Sequence, residues 1–214
     1  MTENTQSEES VVTLEDNPEM ASLASSRGFR LGKQAGLHLL IWMSAFGLFA
    51  AADSWAALTG LGLATLLCVM SGVIAGLTTT TLAHEWFHWL GAWLSGGSYD
   101  IPAKSGLFVY DWHFEQNDVR KFLIMSVAGS VGGALAVLLL WNALPADTLG
   151  RAALRAAAIG SFVFAAAIEW PVLQRIRNGG DPLAELSKIN QRVLSRSFII
   201  AVIAGVVLMV MFAR

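Results

Sequence analysis

The 39 residues from Ala56 to Leu94 contain only three ionisable side chains, His84, Glu85 and His88, and no other stretch restricts the fold as strongly. As one helix the run would be about 58 Å long, against a bilayer hydrocarbon core of about 30 Å. It therefore has to bend, break or cross twice. A chain of 214 residues that is 55% hydrophobic and 14% charged is too apolar for a water-soluble domain and long enough for several spans. The expected fold is an all-α integral membrane protein of about five to six transmembrane helices, with a short extended or hairpin segment at the interface and the lipid bilayer as its partner.

The same composition narrows the function. Net charge is -2 and the bases are scattered over the ends of apolar runs, so no basic patch points to nucleic acid. The single cysteine, Cys68, excludes an internal disulfide and any cysteine-built zinc cage. Four histidines, His38, His84, His88 and His113, are too few for a histidine-rich di-iron membrane hydroxylase.

Residues Met1 to about Ser26 carry six acids and no base among many polar residues, which predicts a disordered acidic tail over 1–33 ahead of a polytopic membrane domain over 34–214. The first bases come only at Arg27, Arg30 and Lys33, after the acidic run, which is the wrong order for a signal peptide. They precede an apolar run at Gly36 to Ala52 and mark that end as cytoplasmic. Asp53 and Trp55 read as a polar break with a turn. Inside the long run, Gly72, Gly76 and Thr78 to Thr81 are the expected places for a bend, while Gly72 and Gly76 also form a face for close helix packing.

Charge placement decides how often the long run crosses. One net crossing puts 11 bases on the cytoplasmic side and leaves Arg151, Arg155 and Arg214 opposite, whereas two crossings give 6 against 8. One crossing is favoured. Gly96 to Gln116 is broken by Gly, Pro and Asp around short aromatic runs, the pattern of an extended or hairpin segment. Phe122 to Leu144 is the next span, with Gly129 and Gly133 spaced for helix contact, followed by Ala152 to Val172. Asn178 to Pro182 is a strong turn signal, Leu186 to Leu194 reads as an amphipathic surface helix, and Ser197 to Phe212 is a last, rather short apolar run. The expected location is a bacterial cytoplasmic (inner) membrane with the N-terminus cytoplasmic.

His84-Glu85-Trp86-Phe87-His88 fits the His-Glu-x-x-His pattern of a zinc hydrolase. From this composition the pattern arises by accident in roughly 0.3% of chains. On a helix the two histidines stand one turn apart on one face, where both imidazoles can hold one Zn2+, and Glu85 beside them is placed as general base toward a water. The bland alternative is a pair of hydrogen-bonded histidines in a helix interface. A catalytic zinc needs a third protein ligand. The candidates are Asp181, Glu169 and His113, then Glu115 and Asp111. Asp181 and Glu169 fall on the same side as the histidines, and the paired glycines before Asp181 allow close backbone approach. Glu169 also reads simply as an acid reaching the interface, His113 as a surface histidine and His38 as an interfacial or hydrogen-bonded one.

Three elements now resemble the site-2-protease family of intramembrane zinc metalloproteases: HEWFH at His84 to His88, FLIMSVAGS at Phe122 to Ser130, and IEWPVLQRIRNGGDP at Ile168 to Pro182. The chain departs from the family pattern at Ser130, where proline is expected, at Gly133, where asparagine is common, and around Asp181, which precedes Pro182 rather than glycine. The resemblance implies Asp181 as third ligand beside His84 and His88, Glu85 as base, and cleavage of a membrane-anchored protein substrate near its transmembrane segment, with a possible regulatory membrane partner. A rival reading is a non-proteolytic membrane protein that binds or transports metal.

Overall fold

The computed structural model describes Ser22 and residues 26–212. Helix α1 (Arg27–Thr59) starts at Ser26, whose hydroxyl accepts from the Phe29 N–H at 3.2 Å, and ends at Gly60, left-handed at φ 64°. Helix α2 (Gly62–Leu94) follows after one more residue. A hairpin pairs β1 (Tyr99–Asp100) antiparallel with β2 (Asp111–Trp112), Tyr99 opposite Trp112. Then come α3 (Val119–Ala143), α4 (Leu149–Arg177), the single turn and a half of α5 (Pro182–Leu186), and α6 (Gln191–Phe212). Among the described residues five helices, α1, α2, α3, α4 and α6, are long and apolar enough to cross a membrane. The chain is an all-α membrane protein with a small interfacial hairpin.

The long apolar run crosses once, but it does not bend where the sequence suggested. Its break is at Gly60 and Leu61, and α2 is continuous through Gly72, Gly76 and Thr78 to Thr81. The helix stays closed here: Thr79 Oγ1 donates to the Ala75 carbonyl at 2.8 Å, Thr81 Oγ1 meets Ser161 Oγ at 3.0 Å, and Thr80 Oγ1 is buried without a hydrogen-bond partner. Asp53 makes no turn either. It stays inside α1 because Arg151 satisfies its carboxylate at 2.8 Å and Thr148 donates to it at 3.3 Å, a polar lock at the end of the bundle away from the hairpin. Helix α1 also takes in Arg27 to Lys33, which the sequence placed in the tail; the acidic stretch before it, apart from Ser22, lies outside the described residues.

At the far end of the chain, the surface helix expected over Leu186 to Leu194 is divided. Asn190 Oδ1 accepts from the Arg192 and Val193 N–H groups and starts a new helix, so the last span draws in six residues before Ser197 and reaches 22. The hairpin, the ends of α2 and α4, and the starts of α1, α3 and α6 therefore share one end of the bundle. The bases counted there, from Arg27 to Arg196, sit together as one net crossing requires.

Helix α2 is the central element and packs on α1, α3 and α4. Its closest approach is to α4, where a Cβ on Gly76 would come 2.2 Å from the Leu154 carbonyl oxygen and one on Gly72 would come 2.5 Å from that of Gly150. Both neighbours are backbone atoms and cannot swing aside. Small residues thus let two backbones meet where apolar side chains gain nothing over lipid. Gly76→Ala should cost about 1–3 kcal/mol by overpacking and lower the detergent melting temperature. Gly47→Ala, with open space around its Cβ, should leave that temperature unchanged.

Candidate metal centre

His84 and His88 stand one turn apart on α2, both buried, with rings edge to face at 4.4 Å between centroids. The ring of His88 exists in this place because α3 has glycine opposite it: a Cβ on Gly129 would fall 2.2 Å from His88 Cε1 and 2.3 Å from Nε2. The glycines that the sequence marked for helix packing thus admit an imidazole.

The third group is Glu169 of α4. Helices α2 and α4 run toward the same end. At 1.5 Å per residue His84 and His88 lie about 15 and 9 Å before the last residue of α2, and Glu169 lies about 12 Å before that of α4. Its carboxylate reaches both histidines across the contact of the two helices. The neighbouring Trp170 donates through Nε1 to Ser130 Oγ on α3 at 3.2 Å, which fixes the rotation of α4 so that Glu169 faces inward.

Glu169 Oε1 lies 2.8 Å from His84 Nε2 and 3.2 Å from His88 Nε2, and the two Nε2 atoms are 2.9 Å apart. Which contacts of this triangle are hydrogen bonds depends on which imidazole carries a proton on Nε2. His88 Nδ1 is 3.0 Å from the Met125 carbonyl and must donate to it, which leaves Nε2 of the neutral ring as a lone pair facing another nitrogen and a carboxylate. Three lone-pair donors directed at one point are what a divalent cation accepts, and zinc bonds of about 2.0–2.1 Å at tetrahedral angles put neighbouring donors roughly 3.3 Å apart. The Met125 contact is the outer partner that commonly fixes a ligating imidazole. His84 Nδ1 and Glu169 Oε2 are buried without hydrogen-bond partners, Oε2 being a further donor on the same carboxylate. Among the described residues this is the group of donors close enough to share one ion.

Two cavities flank the cluster. One, of about 280 Å³, is bounded by Glu85, His88 and Glu169 together with Tyr110, Trp112 and Phe114 of the hairpin region. The other, of about 520 Å³, is bounded by Thr81, His84, Glu85, Phe162 and Glu169. Glu85 and Glu169 belong to both. Tyr110 is held by edge-to-face contacts with Tyr99 and Trp112, at 5.7 and 6.4 Å between centroids. Burial, reinforced by the carboxylates of Glu85 and Glu169, pushes its phenol well above the usual tyrosine range, so it stays a hydrogen-bond donor.

The other sequence candidates are placed elsewhere. Asp181 is exposed at the N-cap of α5, where Oδ1 accepts from the Ala184 N–H at 2.8 Å; it is a turn residue and does not join His84 and His88. His113 is 3.2 Å from both Ser98 Oγ and Asp100 Oδ2, bracing the hairpin. Glu115 and Asp111 are exposed.

His38 is buried and hydrogen-bonded, one of the two readings that its place in the sequence allowed. Trp86 Nε1 donates to its Nδ1 at 3.0 Å, so Nε2 carries the proton and donates to the Gly106 carbonyl at 2.8 Å. Gln34 bonds the same loop through the Gly106 N–H, at 3.2 Å, and the Gly106 and Phe108 carbonyls. Helix α1 thereby straps the loop between β1 and β2 over the site, a role invisible to sequence reading because the partners are backbone groups some seventy residues away.

Fold and cluster together define a helical membrane protein with two histidines and one carboxylate converging beside a second carboxylate. No family model, curated protein or solved structure matches this chain. The strap has a direct consequence: Gln34→Ala should accelerate hydrogen exchange at the Gly106 amide, read by mass spectrometry, while exchange in the middle of α2 stays unchanged.

Proposed function

We propose that the chain is a zinc-dependent intramembrane endopeptidase that hydrolyses a peptide bond in or near the transmembrane segment of a membrane-anchored protein. The observation that carries this reading is the convergence of His84 Nε2, His88 Nε2 and Glu169 Oε1 within 3.2 Å on cavities that Glu85 also bounds. Two histidines and a glutamate with an adjacent glutamate form a hydrolytic donor set known from zinc proteases. The resemblance to site-2 proteases supports the reaction class, with Glu169 in the place that the family pattern would give to Asp181.

Zinc held by His84, His88 and Glu169 would polarise the scissile carbonyl and make a water acidic enough to attack near neutral pH. Glu85 takes the proton from that water and passes it to the leaving amine nitrogen. Tyr110, across the smaller cavity, donates its phenolic hydrogen to the carbonyl oxygen as negative charge builds on it. The aromatic walls from Tyr110, Trp112 and Phe114 keep bulk water from the charges, which strengthens each of these interactions. The hairpin roof leaves room beneath it for an extended substrate stretch, the conformation in which backbone amides are open to attack.

A metal carrier is the rival reading. It needs a polar path across the bilayer, and beyond the cluster the bundle is closed by Ala45, Phe49, Leu140 and Leu154 in a tightly packed apolar core. That core favours a site entered from one end.

The test uses purified full-length chain in proteoliposomes with a library of single-span peptides. Glu85→Gln should keep one zinc per chain and lose cleavage, and Glu169→Ala should lose the zinc. Asp181→Ala should keep both. Cleavage unchanged in Glu85→Gln, or full zinc retention in Glu169→Ala, would overturn the assignment. Tyr110→Phe should reduce turnover by about 10²-fold with zinc content unchanged.

A further inference from the structure

A third cavity lies away from the metal cluster, between the last turns of α4 and the first turns of α6. It measures about 390 Å³, within the roughly 300–1,000 Å³ common for bound small molecules. Its walls are apolar, formed by Ile168, Pro171 and Val172 on one side and Val193 and Ile200 on the other. Its mouth, at the hairpin end of the bundle, carries Arg175, Lys188 and Arg196.

The charges there do not cancel. Arg175 Nε and Lys188 Nζ both bond Glu185, at 2.5 Å to Oε2 and Oε1 respectively, and these two cations hold its carboxyl below the usual range, so it stays ionised. Arg196 has no ion pair among the described residues. Three cations against one carboxylate leave a formal excess of two positive charges at the rim of an apolar cleft.

An apolar slot between two membrane helices with an excess of cations at its mouth matches one class of molecule by both polarity and charge. We propose that this cleft binds one anionic glycerophospholipid, with the phosphate among Arg175, Lys188 and Arg196 and an acyl chain along Ile168, Val172 and Ile200. A free inorganic anion would use the rim and leave the apolar walls without a partner, whereas a zwitterionic lipid would fill the walls and bring its own cation to the rim. Basic pockets between helices near a charged leaflet hold anionic headgroups in this way. The site stands independently of the hydrolase reading, although its α4 wall, through Ile168 and Val172, is the same stretch of helix that carries Glu169.

The test is native mass spectrometry of the delipidated full chain in detergent, with phosphatidylglycerol and phosphatidylcholine of identical acyl chains added in competition. Wild type should retain one phosphatidylglycerol with at least about tenfold preference. Lys188→Gln with Arg196→Gln should lose that preference, and Ile200→Trp, which fills the cleft and keeps every charge, should lose the retained lipid. Arg120→Gln with Lys121→Gln, removing two cations at the same end but on α3, should change nothing. Equal retention of the two lipids, an equal loss in the α3 variant, or displacement of the lipid by millimolar inorganic phosphate would overturn the proposal. Should the double variant fail to fold, the wild-type competition and Ile200→Trp decide it.

Discussion

Ionisable groups inside an apolar bundle are tolerated only where something compensates them, and the arrangement of this protein follows from that requirement. Each such group costs about 3 kcal/mol at mid-bilayer even on permissive scales, and three of them sit in α2 within five residues. Glu169 answers two of them from α4. For it to reach the histidines, α4 must approach α2 closely and at one rotation. The small residues at Gly72, Gly76 and Gly150 permit the approach, and Trp170 on Ser130 fixes the rotation. Gly129 gives the His88 ring its space. Helix packing and site chemistry are therefore satisfied by the same residues.

The far end of the bundle solves the same problem differently. Asp53 and Arg151 neutralise each other there, with Thr148 completing the pair. The pair ties the end of α1 to the start of α4. The bundle thus holds a closed ion pair at one end and three converging donors at the other.

Much of this was legible in the sequence. Apolar runs and base placement gave the single crossing of Ala56 to Leu94, and His-Glu-x-x-His gave the helix that carries the site. The hairpin over Gly96 to Gln116 was legible from its glycines and aromatics. Asp181 was preferred over Glu169 as the third group because turn chemistry around it can serve either a metal or a helix cap, and here the Ala184 N–H claims it. A depth comparison would have preferred Glu169, which lies inside α4, over Asp181, which lies beyond its end. The helix bounds needed for that comparison are poorly marked, because Pro171 looks like a terminator and is accommodated inside α4. The break at Gly60 was hidden for a similar reason, since Asp53 looked like a turn until its partner, almost a hundred residues away, was known.

The lengths of α1 and α2 have a consequence of their own. Each has 33 residues and is about 50 Å long, some 20 Å more than the hydrocarbon layer it must cross. Tilt absorbs part of the excess, and the remainder stands clear of the membrane or thins it locally. An untilted α2 sharing that excess equally between its ends would place His88 level with the headgroups and His84 about one turn beneath them, and tilt would set both deeper. Water then needs no channel through the bundle to meet these side chains; it has to pass only the hairpin, which makes that small flap the protein's shoreline.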